Sequence, residues 1–247
     1  MTDSYSDLQA ALQSLANPEK AQHLMRFFKT GPGEYGAGDR FLGITVPEQR
    51  RLAKQYRHLS LEAVAQLLES PWHEFRLTAL LILTDQVRKA DAARQAEIAA
   101  FYLDHTDRIN NWDLVDGTCP AILGAYLLHQ DRTVLYQLAA SNNLWEQRIA
   151  IITTLAFIRQ GQFEDTLAIA THLLCHRHDL IHKAVGWMLR EVGKQDVQVL
   201  EAFLDKHSHE MPRTMLRYAI ERFNPAQRQH YLKSKPISGG IPKPRSR

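Results

Sequence analysis

The feature that most constrains the fold of this sequence is a series of helical segments that repeats along most of the chain. From Thr45 onward, apolar residues recur at helical rather than strand spacing. Four segments place a basic residue at the start of an apolar helix, and one acid falls in the same series. We call these positions the repeat stripe: Arg76, Asp116, Arg148, Lys183 and Arg217. Their separations of 40, 32, 35 and 34 residues, with two helices per period, predict an all-α, curved α-solenoid with a concave basic groove.

Turn and capping signals predict where several helices begin. Residues 4–29 predict two short helices, the second with Asn17 as N-cap and Pro18 in its first turn. Glycines and prolines make Thr30–Leu42 a loop, and it lacks the Gly-Lys-Ser/Thr ending of a phosphate-binding loop. Thr45 and Glu48 have the spacing of a capping box. Further N-caps are predicted at Ser70-Pro71, Asp91, Asp131, Asp179, Asp196 and Asn224-Pro225.

The charge of the chain is concentrated at its C-terminal end. The net charge is +3, but Lys233–Arg247 carries five cations and no acid. The remainder has 25 basic and 27 acidic residues, a net charge of −2, so an interaction with nucleic acid must come from charges placed on one face. We predict a single repeat domain over residues 1–232. We expect residues 233–247 to be a basic, disordered tail, either natural or left from cloning.

Other global features indicate a cytoplasmic protein. No apolar run reaches the roughly 18 residues that a membrane helix needs, and the N-terminal residues resemble no secretory signal. The two cysteines, Cys119 and Cys175, predict no disulfide and suit a reducing compartment. We therefore expect a monomer in the cytoplasm, without contact to a membrane.

The segment Asn110–Asp116 is the first candidate site. Trp112 and Asp116 are four residues apart, so on a helix they share one face, while Leu114 and Val115 can face the core. An aromatic side chain beside a carboxylate on an otherwise apolar helix is unusual and marks this face for attention.

The repeat stripe allows two interpretations. One is a groove for a polyanion, in which Lys and Arg neutralise phosphates. The other is a ladder of ion pairs between repeats, with Asp116 bonded to Arg148 as one rung. Both remain open, because a ladder can also position side chains for a ligand.

Tryptophans recur in successive repeats. Trp145 follows Trp112 by 33 residues, and we interpret Trp145 as a core residue. Trp187 lies four residues after Lys183 and should share its face. An aromatic beside cations and one carboxylate can hold a cationic or stacked base.

A metal site is the weaker interpretation of a histidine cluster. His172, Cys175 and His176 have i, i+3, i+4 spacing, with His178 and His182 nearby. Zinc would require a fourth ligand, and we interpret these side chains as exposed helix residues. We expect no metal and no cofactor. No Ser–His–Asp order and no pair of catalytic carboxylates stand out.

Between Asn17 and Phe223 the sequence resembles the bacterial DNA alkylation repair glycosylases of the AlkD type, which are built from HEAT-like repeats. The resemblance is specific because two motifs occur together, and neither motif alone would identify the family. They are Trp-Asp-Leu-Val-Asp at 112–116 and Ala-Val-Gly-Trp-Met-Leu-Arg-Glu at 184–191. The resemblance is also carried by Asn17-Pro18-Glu19-Lys20-Ala21, Phe41-Leu42-Gly43-Ile44 with Pro47, Trp145-Glu146-Gln147-Arg148, and Lys183.

The resemblance implies a metal-independent hydrolase that releases cationic N3- and N7-alkylated purines from duplex DNA without flipping the base, which initiates base excision repair. It implies Asp116 as the catalytic acidic residue, acting as a carboxylate, Trp112 and Trp187 as the aromatics flanking the lesion, and Arg148 in the groove. Contacts with DNA are predicted for Phe27, Thr45, Arg50, Arg76, Lys183, Arg190 and Arg217. The alternatives are a non-catalytic repeat protein that binds distorted DNA and a protein-interaction scaffold.

Overall fold

The computed structural model describes residues 4–233, and most of this range is helical. The described chain forms two compact units, which divide between Ala156 and Phe157. A division between neighbouring repeats is expected in any array where each repeat contacts only the next, so the single repeat domain stays a prediction. The predicted tail at 233–247 lies, except for Lys233, outside the described residues.

The first unit begins with ten helices. They are α1 (Tyr5–Ser14), α2 (Pro18–Phe27), α3 (Val46–Gln55), α4 (Leu61–Leu68), α5 (His73–Val87), α6 (Ala92–Asp104), α7 (Trp112–Asp116), α8 (Ala125–Leu127), α9 (Thr133–Ala139) and α10 (Leu144–Thr153). A 3₁₀ turn at Thr106–Arg108 precedes α7, and a π-helical turn at Pro120–Gly124 precedes α8. Helices α3, α5, α7 and α10 contact one another in that order, so alternate helices share the core.

The second unit follows the short helix α11 (Leu155–Ile158), in which the division falls. Its helices are α12 (Glu164–His172), α13 (Asp179–Gln195), α14 (Val197–His207), α15 (Arg213–Ala219) and α16 (Pro225–Lys233). The longest of them, α13, packs against α12, α14 and α15. A Cβ at Gly186 would lie 2.5 Å from the carbonyl oxygen of Met215, so only glycine permits this close approach of α13 to α15.

The all-α prediction is confirmed. Within residues 4–233 the chain contains no β-strand, and its one β-bridge joins Arg40 to Trp72. None of the helices in this range is long and apolar enough to cross a membrane. Curvature and a concave basic groove remain predictions.

Most of the predicted helix starts are confirmed. The side chain of Asn17 accepts a hydrogen bond from the Lys20 amide, and Pro18 opens α2. Thr45 and Glu48 form the predicted capping box of α3. Asp91 and Asp196 cap α6 and α14. These signals act within three or four residues, which is why they could be identified without tertiary structure.

Three predicted starts were wrong by one or two residues. Helix α5 begins after Trp72 rather than at Ser70-Pro71. The backbone of Arg40 hydrogen-bonds to the Pro71 carbonyl and the His73 amide, which keeps the chain extended there. Helix α9 begins at Thr133, one residue later than Asp131 would place it. In α13 the N-cap is His178, whose Nδ1 accepts from the Leu180 amide, and Asp179 is the first helical residue.

The predicted loop at residues 30–42 is confirmed, and its end is fixed by one buried carboxylate. Glu74 at the start of α5 accepts hydrogen bonds from the amides of Leu42, Gly43 and Ile44 at 2.8–3.3 Å. Gly43 has a φ of +85°, and a Cβ there would lie 2.1 Å from the carbonyl oxygen of Asn17. The loop is therefore tied to α2 and α5, next to the candidate site.

Candidate active site

Helix α7 presents Trp112 and Asp116 on one face, as predicted. Leu114 and Val115 are fully buried, whereas Trp112 and Asp116 are partly exposed. The N-cap of this helix is Asn111, whose side chain accepts a hydrogen bond from the Trp112 amide at 2.8 Å. The core contacts of the apolar face therefore aim the aromatic and the carboxylate away from the core.

Asp116 and Arg148 form the predicted rung between repeats. Arg148 donates from Nε to Oδ1 at 2.8 Å and from Nη2 to Oδ2 at 2.7 Å. Arg148 is buried, and the Asp116 side chain is 17% exposed. Burial raises the pKa of Asp116 above its ordinary value, and the hydrogen bonds and charge of Arg148 limit that increase. The paired geometry fixes the orientation of the carboxylate.

Trp112 is the outer member of an aromatic stack. Its ring lies over Phe28 with centroids 5.3 Å apart, Phe28 lies over Phe41 at 5.0 Å, and Phe41 lies over His73 at 4.6 Å. Phe27 meets the edge of Trp112 at 5.9 Å and is 57% exposed. The stack fixes the plane of Trp112 beside the carboxylate of Asp116 in the same helix.

Beneath the stack lies a buried charge network that sequence reasoning missed. His73 bonds through Nε2 to Asp113 at 2.8 Å and through Nδ1 to Asp39 at 3.3 Å. Asp39 also accepts from Arg76 at 2.6 Å and from the side-chain Nδ2 of Asn110 at 3.1 Å. Nothing in the sequence joins these side chains, because the two members of each bonded pair are 34 to 71 residues apart along the chain.

The network favours the charged forms of His73 and Asp39. Burial lowers the pKa of His73, but the charge and hydrogen bond of Asp113, with the hydrogen bond of Asp39, raise it to about 9. Burial opposes the ionisation of Asp39, yet the hydrogen bond from His73 and the charges of Arg76 and His73 bring its pKa below the ordinary value. An imidazolium therefore lies between two carboxylates.

Asp113 corrects the expectation of a lone acid at the site. It lines a cavity of about 270 Å³ together with Trp112, Asp116 and Arg50. Its charge also contributes to the raised pKa of Asp116. The signal for Asp113 was present in the Trp-Asp-Leu-Val-Asp motif, but its partner His73 could be found only in three dimensions.

The DNA-contact prediction for Arg76 is not supported by its surroundings. Arg76 is 5% exposed and its guanidinium is bonded to Asp39 and to the carbonyl oxygen of Ser70. A buried, paired guanidinium cannot reach a phosphate. Arg76, like the Asp116–Arg148 pair, therefore supports the ladder interpretation of the repeat stripe.

The other predicted contacts in the first unit differ in their accessibility. Arg50 and Phe27 are exposed. Thr45 is partly exposed, but its hydroxyl donates to Glu48 at 2.6 Å. Trp145 is 8% exposed, which agrees with its interpretation as a core residue.

In the second unit, α13 carries three predicted site residues. Trp187 is partly exposed and donates from Nε1 to Glu191 at 3.0 Å. Lys183 pairs with Asp179 one turn earlier at 2.7 Å, and Arg190 pairs with Glu221. Arg217 on α15 is exposed. The Lys183–Asp179 pair is exposed, so a phosphate can displace Asp179 at low cost. The Arg190 side chain is only 19% exposed and also contacts Glu191.

The histidine cluster stabilises the start of α13. His176 accepts the His178 amide at 3.0 Å, and His182 contacts the carbonyl oxygen of His176. Between residues 4 and 233, no three His, Cys, Asp or Glu side chains are placed to hold a metal ion.

Comparisons with known proteins agree with the fold described above. A family model for DNA alkylation repair enzymes matches residues 8–223. Among solved structures, the chain is similar to a predicted DNA alkylation repair enzyme from Enterococcus faecalis, with 20% identity and a TM-score of 0.66. That match covers 85% of this chain and 97% of the other, and at this identity it shows a shared fold. No curated protein matches the chain.

Proposed function

Because the chain belongs to the DNA alkylation repair enzyme family, we propose that it is a DNA glycosylase of the AlkD type. It hydrolyses the N-glycosidic bond of cationic N3- or N7-alkylated purines in duplex DNA without flipping the base. The observation that carries this proposal is the partly exposed Asp116 carboxylate, held by two hydrogen bonds from Arg148 and lining one cavity with Trp112.

The reaction suits this arrangement because an alkylated purine is already positively charged. When the C1′–N bond breaks, its electron pair goes to the purine, which leaves as a neutral base without needing an acid. The sugar becomes oxocarbenium-like, and a carboxylate stabilises that positive charge. Asp116 also orients the attacking water and accepts its proton as oxygen bonds to C1′. Arg148 keeps Asp116 ionised and correctly oriented despite its burial.

The remaining roles follow from accessibility. Trp112 packs against the deoxyribose or the cationic base, to which its ring face is attractive. Trp187 is proposed to pack against the lesion as well. Arg50, Lys183, Arg190 and Arg217, with the start of α3 at Thr45, are proposed to contact phosphates, which position the duplex without reading its sequence.

The experiment is base release from duplex DNA containing 7-methylguanine, measured under single turnover. We expect Asp116→Asn to slow release by at least about 100-fold, the size of effect found when one electrostatic stabiliser is removed. Asp104→Asn, at an exposed acid that ends α6, is the matched control and should act as the wild type. Release by Asp116→Asn at the wild-type rate, or no release by the wild type, would rule out the assignment.

Thermal unfolding of the same variants separates chemistry from scaffold. Asn at position 116 leaves Arg148 buried without its counter-charge, so some loss of stability is expected. If slow release came only from unfolding, it would recover at temperatures well below the melting transition of the variant. Persistent loss in the folded variant is the expected result.

The two alternatives differ in their DNA binding. A non-catalytic binder of distorted DNA would show salt-dependent affinity without base release. A protein-interaction scaffold would show no DNA affinity, and Lys183→Glu with Arg217→Glu would not change DNA mobility in a shift assay. The proposed glycosylase predicts both release and loss of binding on that charge reversal.

A further inference from the structure

A second and larger cavity lies in the first unit, beside the one that Asp116 lines. It has a volume of about 790 Å³ and is formed by α2, the start of α3, the loop between them and the starts of α5 and α7. This volume lies within the range of sites that bury small organic ligands. Val46, Leu77, Trp112 and Asp113 line both cavities, so the two adjoin along a shared wall.

The walls of this larger cavity are aromatic. They include Phe27, Phe28, Phe41 and Trp112, of which Phe28, Phe41 and Trp112 form the stack described above. Phe27 is 57% exposed although it lies edge-on against Trp112. An aromatic side chain left this exposed beside a cavity offers a stacking surface to a planar ligand.

Two polar side chains on the walls, Gln49 and Asp113, have acceptor oxygens with unused hydrogen-bonding capacity. The Oε1 atom of Gln49 is buried and accepts no hydrogen bond, while its Nε2 donates to the Ile44 carbonyl at 2.9 Å. Asp113 accepts from His73 and from the Leu114 amide, and its oxygens retain free lone pairs. Glu74, by contrast, is occupied by backbone amides. A ligand that satisfies these walls therefore brings N–H groups.

The local charge balance favours a neutral ligand. The negative charge of Asp113 is compensated by the His73 imidazolium beneath it, and that of Asp39 by Arg76. Of the other charged side chains on the wall, Glu74 is held by backbone amides, and Glu19 and Lys20 are exposed neighbours of opposite sign. The rest of the wall is mainly aromatic and aliphatic, so a cation entering it would lose hydration with little gain in charge pairing.

We propose that this cavity binds the neutral alkylpurine base after its release from DNA. The ring stacks against Phe27, and its N–H groups donate to Asp113 and Gln49. The identity of this ligand rests on the proposed function. Binding follows cleavage of the C1′–N bond, so the cationic base need not leave the duplex beforehand.

The test is equilibrium binding of free bases to the full chain by titration calorimetry, without DNA. The probes are 7-methylguanine, which carries N–H donors, and 1,3,7-trimethylxanthine, which has a similar shape and none. We expect 7-methylguanine to bind saturably and at least about tenfold more tightly, the equivalent of one or two hydrogen bonds. No saturable binding of 7-methylguanine at millimolar concentration, or equal binding of both probes, would overturn the proposal.

Two variants locate the site. Leu24→Trp fills the cavity from α2 and should abolish binding, whereas Leu167→Trp, at another partly buried leucine, on α12, should not. Phe27→Leu alters an exposed side chain and should fold normally while weakening binding about tenfold through lost stacking. Wild-type affinity in a folded Leu24→Trp protein, or in Phe27→Leu, would contradict this location.

The outcome is independent of catalysis. A protein that releases 7-methylguanine from DNA but does not bind the free base would leave the proposed function standing and reject the cavity assignment. A protein that binds the free base but releases none would reject the glycosylase while retaining a base-binding site. In the expected case, Leu24→Trp abolishes binding of free 7-methylguanine and leaves single-turnover release unchanged.

Discussion

At the scale of single residues, the carboxylate of Asp116 is shaped by two opposed effects. Burial favours its neutral form, and two hydrogen bonds from a buried guanidinium favour its charged form. The Asp116–Arg148 pair is thus both a scaffold contact and a means of presenting a charged oxygen to a ligand. Both interpretations of the repeat stripe, a ladder of ion pairs and a ligand-binding groove, therefore apply to this pair.

Removal of Arg148 should reveal how much the Asp116–Arg148 pair contributes to the stability of the fold. Arg148→Met leaves the Asp116 charge buried and unpaired, which should lower the free energy of unfolding by about 3 kcal/mol. Urea denaturation at pH 7 measures this change, with Arg222→Met at an exposed arginine as the control. A loss no larger than that of the control would show that the pair contributes nothing to stability.

His73 should make stability depend on pH. Its pKa is raised from 6.5 to about 9 in the folded protein, so the stabilisation is complete below pH 6.5 and is lost as pH rises through 9. The full effect is on the order of 3 kcal/mol. Urea denaturation at pH 6 and pH 9 should show that His73→Gln removes most of this difference.

The control for that experiment is His129→Gln, at an exposed imidazole outside the network. It should retain the wild-type difference between the two pH values. If His73→Gln retained it as well, the imidazolium between Asp113 and Asp39 would not be the source.

At the scale of elements, the segment that joins α2 to α3 positions the site although it is mostly irregular. It contributes Asp39 to the charge network and Phe41 to the aromatic stack, and Glu74 fixes its end through three backbone amides. Helix α7 has only five residues, too few to be stable without its packing. The conformations of the loop and of α7 therefore depend on each other through the charge network around Asp39 and the aromatic stack.

Gly43 tests this dependence. Gly43→Ala would place a Cβ 2.1 Å from the Asn17 carbonyl at a φ of +85°, so the loop must separate from α2. Gly33→Ala is the matched control, because Gly33 has a φ of +78° but open space around its Cβ. We expect a cost of about 1 kcal/mol for Gly33→Ala and a clearly larger loss in urea denaturation for Gly43→Ala.

Equal losses of stability for the two alanine variants would show that the backbone angle, and not the contact with Asn17, explains the need for glycine at 43. The expected larger loss should be accompanied by weaker near-ultraviolet circular dichroism, since the tryptophan stack rests on this loop.

At the scale of the whole molecule, charge is unevenly distributed between the repeats and the C-terminal end. Lys233–Arg247 supplies five cations, and the rest of the chain has a net charge of −2. A chain ending at Leu232 should therefore bind undamaged duplex DNA more weakly at low salt, and its affinity should depend less steeply on salt concentration. Fluorescence anisotropy at several salt concentrations measures both effects.

A chain with Lys233, Lys235, Lys243, Arg245 and Arg247 replaced by glutamine is the control for length. It should behave as the truncated chain does. Identical salt slopes for these two proteins and the wild type would show that the C-terminal cations take no part in binding.

Local signals accounted for the helices, and repeat arithmetic found the Asp116–Arg148 pair. Several helix caps make contacts with residues three or fewer positions away, so they could be predicted from the sequence. These caps are Asn17, Thr45, Asp91 and Asp196. The arithmetic placed Asp116 and Arg148 one repeat apart, and the structure joins them. The role of this pair in catalysis stays a prediction.

Spatial neighbours decided the rest. The sequence placed Arg76 in the repeat stripe. In the structure, however, Arg76 is buried and its guanidinium is paired with Asp39, which lies 37 residues away along the chain. The sequence by itself determined an all-helical repeat chain, because helix periodicity and capping are local. Only the tertiary structure decided which charges are buried, since desolvation and ion pairing depend on distances in space that the order of residues does not specify. It thereby buried the Asp116–Arg148 pair and placed a second acid, Asp113, beside Asp116.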